Sequence, residues 1–144
     1  MLGGFLIIAT SMVAAVIADD RPAMPDLDLL ALPVGVDVLE SHATCDASEC
    51  DGVGLVLDND LASAEALIED VADGLRAEGW TDRACGLGDT CLRREGLGVM
   101  LAPWSMIDDT LNAPIRASLE EQGIDQQTLV YLLFHRCGDL HPCR

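Results

Sequence analysis

Short apolar runs alternate along the chain with polar segments that are rich in turn-forming residues. Residues 53–57 (VGLVL) are apolar and end at Asp58, which predicts a buried strand. Residues 129–134 (LVYLLF) predict a buried final strand, and the alternative is a helix that Asp125 caps. Residues 36–39 predict a short edge strand. These runs indicate a sheet whose strands are spread over most of the chain.

Two segments have helical rather than strand periodicity. Between residues 61 and 75 apolar side chains recur every three or four positions, with charged residues opposite them, which predicts an amphipathic helix. Asp58 or Asp60 is the expected N-cap of this helix, and Gly79 is its expected stop. Pro114 at a first helical position and Gly123 as a stop predict a second helix, which in the alternative extends back to residue 108.

The segment between the two helices has the period of a strand. Residues 80–85 have the alternating pattern of a strand, and residues 86–89 favour a turn. Residues 91–102 then predict a strand that runs back beside the first one. Because 91–102 is long for one strand, Gly96 and Gly98 indicate a bulge or a second tight turn within it. The order strand, helix, strand, strand, helix, strand predicts an α+β fold of the small ferredoxin-like (βαββαβ) type. This fold has an antiparallel sheet of four strands with both helices on one face.

A hydrophobic segment precedes this domain. Residues 1–18 carry no charged side chain, and a helix of that length spans about 27 Å, close to the thickness of a membrane core. Val16 and Ala18 precede a plausible cleavage site, so the segment predicts a signal peptide or, alternatively, an uncleaved membrane anchor. Residues 19–43 predict a Pro-containing tether, part of which, residues 27–32, docks on the domain. Residues 44–144 are the predicted disulfide-stapled domain.

The charge balance excludes several kinds of partner. The formal net charge is −17, from 25 acidic and 8 basic residues, and every basic residue is an arginine. Such a surface repels phosphate backbones and anionic lipids, so we expect no nucleic-acid partner and membrane contact only through residues 1–18. Arg93 and Arg94 are the one adjacent basic pair. Because neighbouring residues of a strand face opposite sides, we expect no single basic patch from them.

Six cysteines behind an export segment predict a disulfide framework and an extracytoplasmic protein, secreted or anchored by its N-terminal helix. The hairpin of the second and third predicted strands brings Cys85 and Cys91 together, which makes their bridge the firmest pairing. The other cysteines are expected at the opposite end of the sheet and can pair locally or across the fold. They are Cys45, Cys50, Cys137 and Cys143.

The C-terminal tail offers an alternative. Two imidazoles and two thiolates within nine residues have the chemistry of a tetrahedral zinc site. Known sites take their ligand pairs from two separate loops, whereas this tail is a single segment, so disulfides are the preferred interpretation. The candidate ligands are His135, Cys137, His141 and Cys143.

The chain has no motif of a nucleophilic hydrolase, a zinc protease or a phosphate-binding loop. We therefore expect no catalytic residues and no cofactor. The expected function is that of an exported, non-enzymatic envelope or secreted domain, which binds a ligand or another envelope or extracellular protein. The sheet face or the disulfide-rich end is the expected contact surface. The alternative function is metal binding by the tail.

Overall fold

The computed structural model describes residues 27–45, 50–59, 63–86, 89–107 and 109–137. Over these residues, six strands form one antiparallel sheet that carries two α-helices, so the α+β class is confirmed. None of the helices in the described ranges is long and apolar enough to cross a membrane. The elements in chain order are β1 (Asp37–Cys45), β2 (Cys50–Asp58), α1 (Ala64–Ala77), β3 (Thr81–Arg83), β4 (Thr90–Arg94), β5 (Leu97–Pro103), α2 (Asp109–Glu121) and β6 (Val130–Arg136).

The strand order across the sheet is β1-β2-β6-β5-β4-β3. The chain forms a β1–β2 hairpin on one side and a β3–β4–β5 meander on the other, and β6 is inserted between them. The last strand of the described residues is therefore one of the two central strands of the sheet. It pairs along its length with both β2 and β5.

The two helices lie on opposite faces of the sheet. Side chains alternate along β6 because successive residues of a strand point to opposite faces. Val130, Leu132 and Phe134 belong to an apolar cluster that also contains the buried side of α1 and Trp80. Tyr131 and Leu133 belong to the second cluster, where Leu119 of α2 and Trp104 are packed. The core is thus divided into two layers, one on each side of the sheet.

The observed arrangement differs from the predicted ferredoxin-like one. The ferredoxin-like order would place β2 between β6 and the third predicted strand, residues 91–102. Both helices would then lie on one face of the sheet. Instead β6 lies between β2 and β5, and each helix covers its own face. The physical reason is that β6 is apolar on both sides and needs cover on both. The predicted N-terminal helix of residues 1–18 lies outside the described residues.

Most predicted elements are present, with changed bounds. The apolar runs 53–57 and 129–134 are strands, as expected. The long segment 91–102 contains a tight turn at Glu95 and Gly96, which separates β4 from β5. Strand β1 begins at Asp37, so the folded unit starts inside the predicted tether of residues 19–43. Leu30, within the docking part of that tether, is buried in the cluster beneath α1.

The start of α1 departs from the prediction. Its N-cap is Ser63, whose hydroxyl oxygen accepts a hydrogen bond from the backbone N–H of Ala66 at 3.1 Å. Asp58 instead ends β2, and Asp60 lies outside the described residues. A serine directly before the first helical turn can accept a hydrogen bond from a backbone N–H that has no partner within the helix. The helix ends before Gly79, which has the left-handed φ of 97° that the prediction required.

The second helix follows the longer of the two predicted forms. Helix α2 begins at Asp109, so Pro114 lies inside it rather than at its first position. Gly123 has a φ of 71° and ends the helix as predicted, because a glycine adopts this backbone conformation without strain. Only about one turn of helix precedes the proline, which limits the number of backbone hydrogen bonds that it disturbs.

Gly54 allows a close contact between β1 and β6. His42 Nε2 and Tyr131 Oη share a hydrogen bond of 3.0 Å that passes over Gly54 of β2. A β-carbon at position 54 would collide with both of these atoms. We expect Gly54→Ala to lower the free energy of unfolding by about 1–3 kcal/mol, the usual cost of overpacking. Urea denaturation measures the change.

Tyr131→Phe gives the matched control for this substitution. It removes the nearest colliding atom, so the cost of Gly54→Ala should be smaller in the Tyr131→Phe background than in the wild type. Equal costs in the two backgrounds would contradict the proposed contact.

Candidate functional site

An open cleft of about 420 Å³ lies at one end of the sheet, beside the turn that joins β4 to β5. This volume is within the range of small-molecule binding sites. The cleft is bordered by elements that are distant in sequence, because the sheet order brings the end of β6 next to this turn. Its lining includes Thr81 of β3, the segment Arg93, Arg94, Glu95 and Gly96, and Cys137.

The β4–β5 turn sets the position of both arginines. Glu95 and Gly96 have φ values of 48° and 80°, and Arg94 pairs directly with Leu97 across the hairpin. A two-residue turn with two left-handed positions matches the twist of the flanking strands and fixes their register. The backbones of Arg93 and Arg94 are therefore held in the ladder up to the edge of the cleft.

The neighbours of these arginines in the sheet leave the cleft open. Arg93 pairs with Gly98, which in turn pairs with His135, so no side chain stands between Arg93 and the histidine. The backbone N–H of Cys137 donates a 2.9 Å hydrogen bond to the carbonyl oxygen of Gly96. This bond attaches the end of β6 to the turn.

Arg93 and Arg94 line one cleft, whereas the alternation of strand residues predicts no single basic patch from them. Both border the same cleft, although they start on opposite faces of β4. The alternation rule describes the middle of a sheet. At the end of a strand, long side chains from both faces can extend past the last residue into one space.

The arginines differ in whether they form ion pairs with carboxylates. Arg76 forms ion pairs with Asp82 and Asp73 at 3.0 and 2.9 Å, and with Glu69 at 3.7 Å. Its hydrogen bond to Asp82 raises the pKa of Arg76 above the ordinary value. In contrast, Arg93 and Arg94 make no ion pair with any residue of the described ranges.

His135 is engaged at both ring nitrogens. Its side chain is 1% exposed, and Nδ1 lies 3.0 Å from the carbonyl oxygen of Arg136. Because a carbonyl only accepts, Nδ1 carries the proton, and Nε2 is left to accept from Arg83 Nη2 at 3.5 Å. Burial lowers the pKa of Arg83. This arrangement describes a neutral, packed histidine.

The predicted zinc ligands are only partly within the described residues. Cys137 is in a disulfide, His135 is engaged as above, and His141 and Cys143 lie outside the described residues. Over the described part of the chain, no group of three or more His, Cys, Asp or Glu side chains is placed to hold a metal ion. A thiol must be deprotonated to bind zinc, so Cys137 would first have to be reduced.

The Cys85–Cys91 bridge is present, as predicted. It links the loop after β3 to β4, with a Cα–Cα distance of 6.1 Å. Cys45 and Cys50 are backbone partners at the end of the β1–β2 hairpin. On β2 and β6, Cys50 and Cys137 each lie two residues beyond the pair Gly52–His135, at the same end of the sheet. The pairing among Cys45, Cys50, Cys137 and Cys143 stays a prediction.

A second polar cluster lies beneath α2 and supports the fold. Trp104 Nε1 donates to Gln126 Oε1 at 2.8 Å, and the Arg116 guanidinium lies 4.7 Å from the centre of the Trp104 ring. Arg116 Nη2 also donates to the carbonyl oxygens of Trp104 and Ile107, at 3.1 and 2.7 Å. These contacts satisfy polar groups that α2 buries, so the cluster has a structural explanation.

No known protein family, curated protein or solved structure matches this chain. We therefore infer the function from the geometry of the cleft. The sequence did contain one signal for it, the adjacent pair Arg93 and Arg94 before a Glu-Gly turn. Nothing in the local sequence identifies Thr81 or Cys137 as neighbours of that pair.

Tyr131 gives a direct test of the packing beneath α2. Burial raises the pKa of Tyr131 to about 12, from an ordinary value near 10. Tyr131 is the one tyrosine of the chain, so the near-ultraviolet absorbance of tyrosinate reports this residue alone. We expect a midpoint near 12 in the folded protein and near 10 in urea.

The same titration predicts a pH dependence of stability. The folded chain holds the Tyr131 proton at pH values where the unfolded chain has lost it, so stability falls as the pH rises above about 10. A folded-state midpoint near 10 would contradict the described burial of this side chain.

The Cys85–Cys91 bridge should stabilise the β3–β4 edge of the sheet. We expect the double substitution Cys85→Ala and Cys91→Ala to lower the free energy of unfolding by about 2 kcal/mol. The reason is that the bridge closes a short loop, with a sequence separation of 6. Urea denaturation of the oxidised proteins measures the difference, and an unchanged midpoint would contradict it.

Proposed function

We propose that this chain is an exported, non-catalytic binding domain whose ligand, or an exposed group of a partner protein, is held in the cleft beside Arg93 and Arg94. One observation carries the proposal. In a chain with about three times as many acids as bases, this solvent-open cleft is lined by two arginines that have no ion-pair partner among the described residues. Binding sites are typically concave, with a few polar groups that fix the ligand.

The disulfides support an oxidising compartment. The bridge between Cys85 and Cys91 and the bonded state of Cys137 are of the kind that persists outside the cytoplasm. In the proposal, residues 1–18 direct export as a signal peptide or hold the domain at the membrane as an anchor. The partner is then another envelope protein or an extracellular molecule.

The groups at the cleft favour binding over catalysis. Arginine stays protonated, so Arg93 and Arg94 can attract and orient a ligand but do not exchange protons with it. Neither described histidine lines the cleft: His42 bonds Tyr131, and His135 is buried against Arg83. Glu95 is the remaining titratable side chain there. A single carboxylate supports general acid–base chemistry less well than the two guanidiniums support binding.

A screen of small soluble molecules of mixed charge tests the proposal. The full chain, with its disulfides intact and labelled with ¹⁵N, is titrated with each molecule. We expect the amide signals of Thr81, Arg94 and Gly96 to shift for at least one class of molecule, without turnover of that molecule.

Two bulky substitutions make the test specific. Thr81→Trp should fill part of the cleft and abolish the shifts, because Thr81 is an exposed part of its wall. Ser105→Trp adds the same bulk at an exposed position near the opposite end of β5 and should leave the shifts unchanged. Shifts that cluster elsewhere, equal responses of the two variants, or turnover of a bound molecule would overturn the proposal.

A further inference from the structure

We propose that the Arg93–Arg94 cleft recognises an anionic group, either a carboxylate or a phosphate, on its ligand. This inference rests on the proposed binding function and deepens it by naming the chemistry of the ligand. It runs against the overall charge of −17, which by itself predicts a preference for cations or basic partners. What favours an anion is the placement of the few positive charges.

Three of the other described arginines have partners within the chain, whereas Arg136, the last residue of β6, is exposed and makes no ion pair in the described ranges. Arg76 is held by three carboxylates, and Arg116 donates to two carbonyl oxygens beneath α2. Arg83 lies 3.5 Å from a nitrogen of His135. The side chains of Arg93 and Arg94 make neither an ion pair nor a hydrogen bond with the residues that the structure describes, although acidic side chains are abundant, and unlike Arg136 they line the cleft. Within the described ranges, no carboxylate therefore competes with an anion from solution for their guanidinium groups.

The guanidinium group suits such a ligand. Its planar fork of N–H donors matches the two oxygens of a carboxylate or phosphate, and these bonds are stronger than those between neutral groups. Two adjacent arginines at one cleft can bind the two edges of the same anion. The turn at Glu95 and Gly96 holds both of their backbones in place, which reduces the entropy lost on binding.

Two negative features oppose the anion and limit its charge. The Glu95 carboxylate borders the cleft, so the formal charge of Arg93, Arg94 and Glu95 together is +1 (two minus one). The C-terminal end of α1, which carries a partial negative charge, also ends close to the cleft at Gly79. Removal of the Glu95 charge should therefore strengthen binding, an effect that a purely structural role of this residue does not produce.

A set of three molecules of equal shape separates charge from shape. Benzoate, benzamide and benzamidine are anionic, neutral and cationic, and inorganic phosphate is the fourth probe. Each is titrated at constant ionic strength into the full ¹⁵N-labelled chain with its disulfides intact. The side-chain Nε–H signals of Arg93 and Arg94 report binding. We expect benzoate and phosphate to shift these signals, and benzamide and benzamidine to leave them in place.

Substitutions assign the effect to the cleft. Arg93→Gln and Arg94→Gln should each weaken benzoate binding about tenfold, the usual loss for one charge-assisted contact. Arg76→Gln is the matched control, because it removes the same charge from a guanidinium that is already paired, and it should leave the affinity unchanged. Glu95→Gln should raise the affinity severalfold.

The outcomes distinguish this inference from the function on which it rests. If benzamide or benzamidine shifts the cleft signals as strongly as benzoate does, the inference is wrong and the binding function stands. If none of the four probes or the screened molecules acts at the cleft, both are wrong. A response to benzoate alone or to phosphate alone supports the inference and identifies the type of anion.

Discussion

The central strand β6 is apolar on both faces, and the rest of the structure depends on covering both of them. Leu132 and Phe134 are buried on one side, and Tyr131 and Leu133 on the other. Burial of each such side chain contributes about 1.5–3 kcal/mol. The loss from one uncovered face would therefore be a large part of a domain's free energy of unfolding. One helix on each face meets this requirement. The β1–β2 hairpin and the β3–β4–β5 meander then extend the sheet on the two sides of β6.

The same arrangement builds the cleft. Because β6 pairs with β5, its last residues reach the β4–β5 turn, where the backbone of Cys137 bonds to Gly96. The disulfide of Cys137 holds this end of the strand, and the Cys85–Cys91 bridge holds the loop after β3 against β4. One disulfide-bonded residue, Cys137, therefore lies at a site that consists mostly of edge strand and turn. A cleft made from such segments would otherwise be among the least stable parts of the fold.

Local sequence patterns predict most of the helices and strands. They do not predict the contacts between residues that are far apart in sequence. The period of the first helix, the apolar runs at 53–57 and 129–134, and the Cys85–Cys91 bridge all follow from residues close together in sequence. The strand order does not, because an apolar strand can pair with several neighbours at similar cost. The His42–Tyr131 bond joins residues 89 positions apart. Strand alternation alone does not predict the Arg93–Arg94 cleft, because the cleft lies at the end of β4 beside the β4–β5 turn.

The position of β6 is the claim on which both the fold and the cleft depend, and NMR measures it directly. Nuclear Overhauser contacts between the backbone protons of neighbouring strands identify which strands are paired in the oxidised chain. The account predicts such contacts from β6 to both β2 and β5, including Leu133 with Gly54 and with Met100. Contacts between β2 and β5, with β6 at an edge of the sheet, would contradict it.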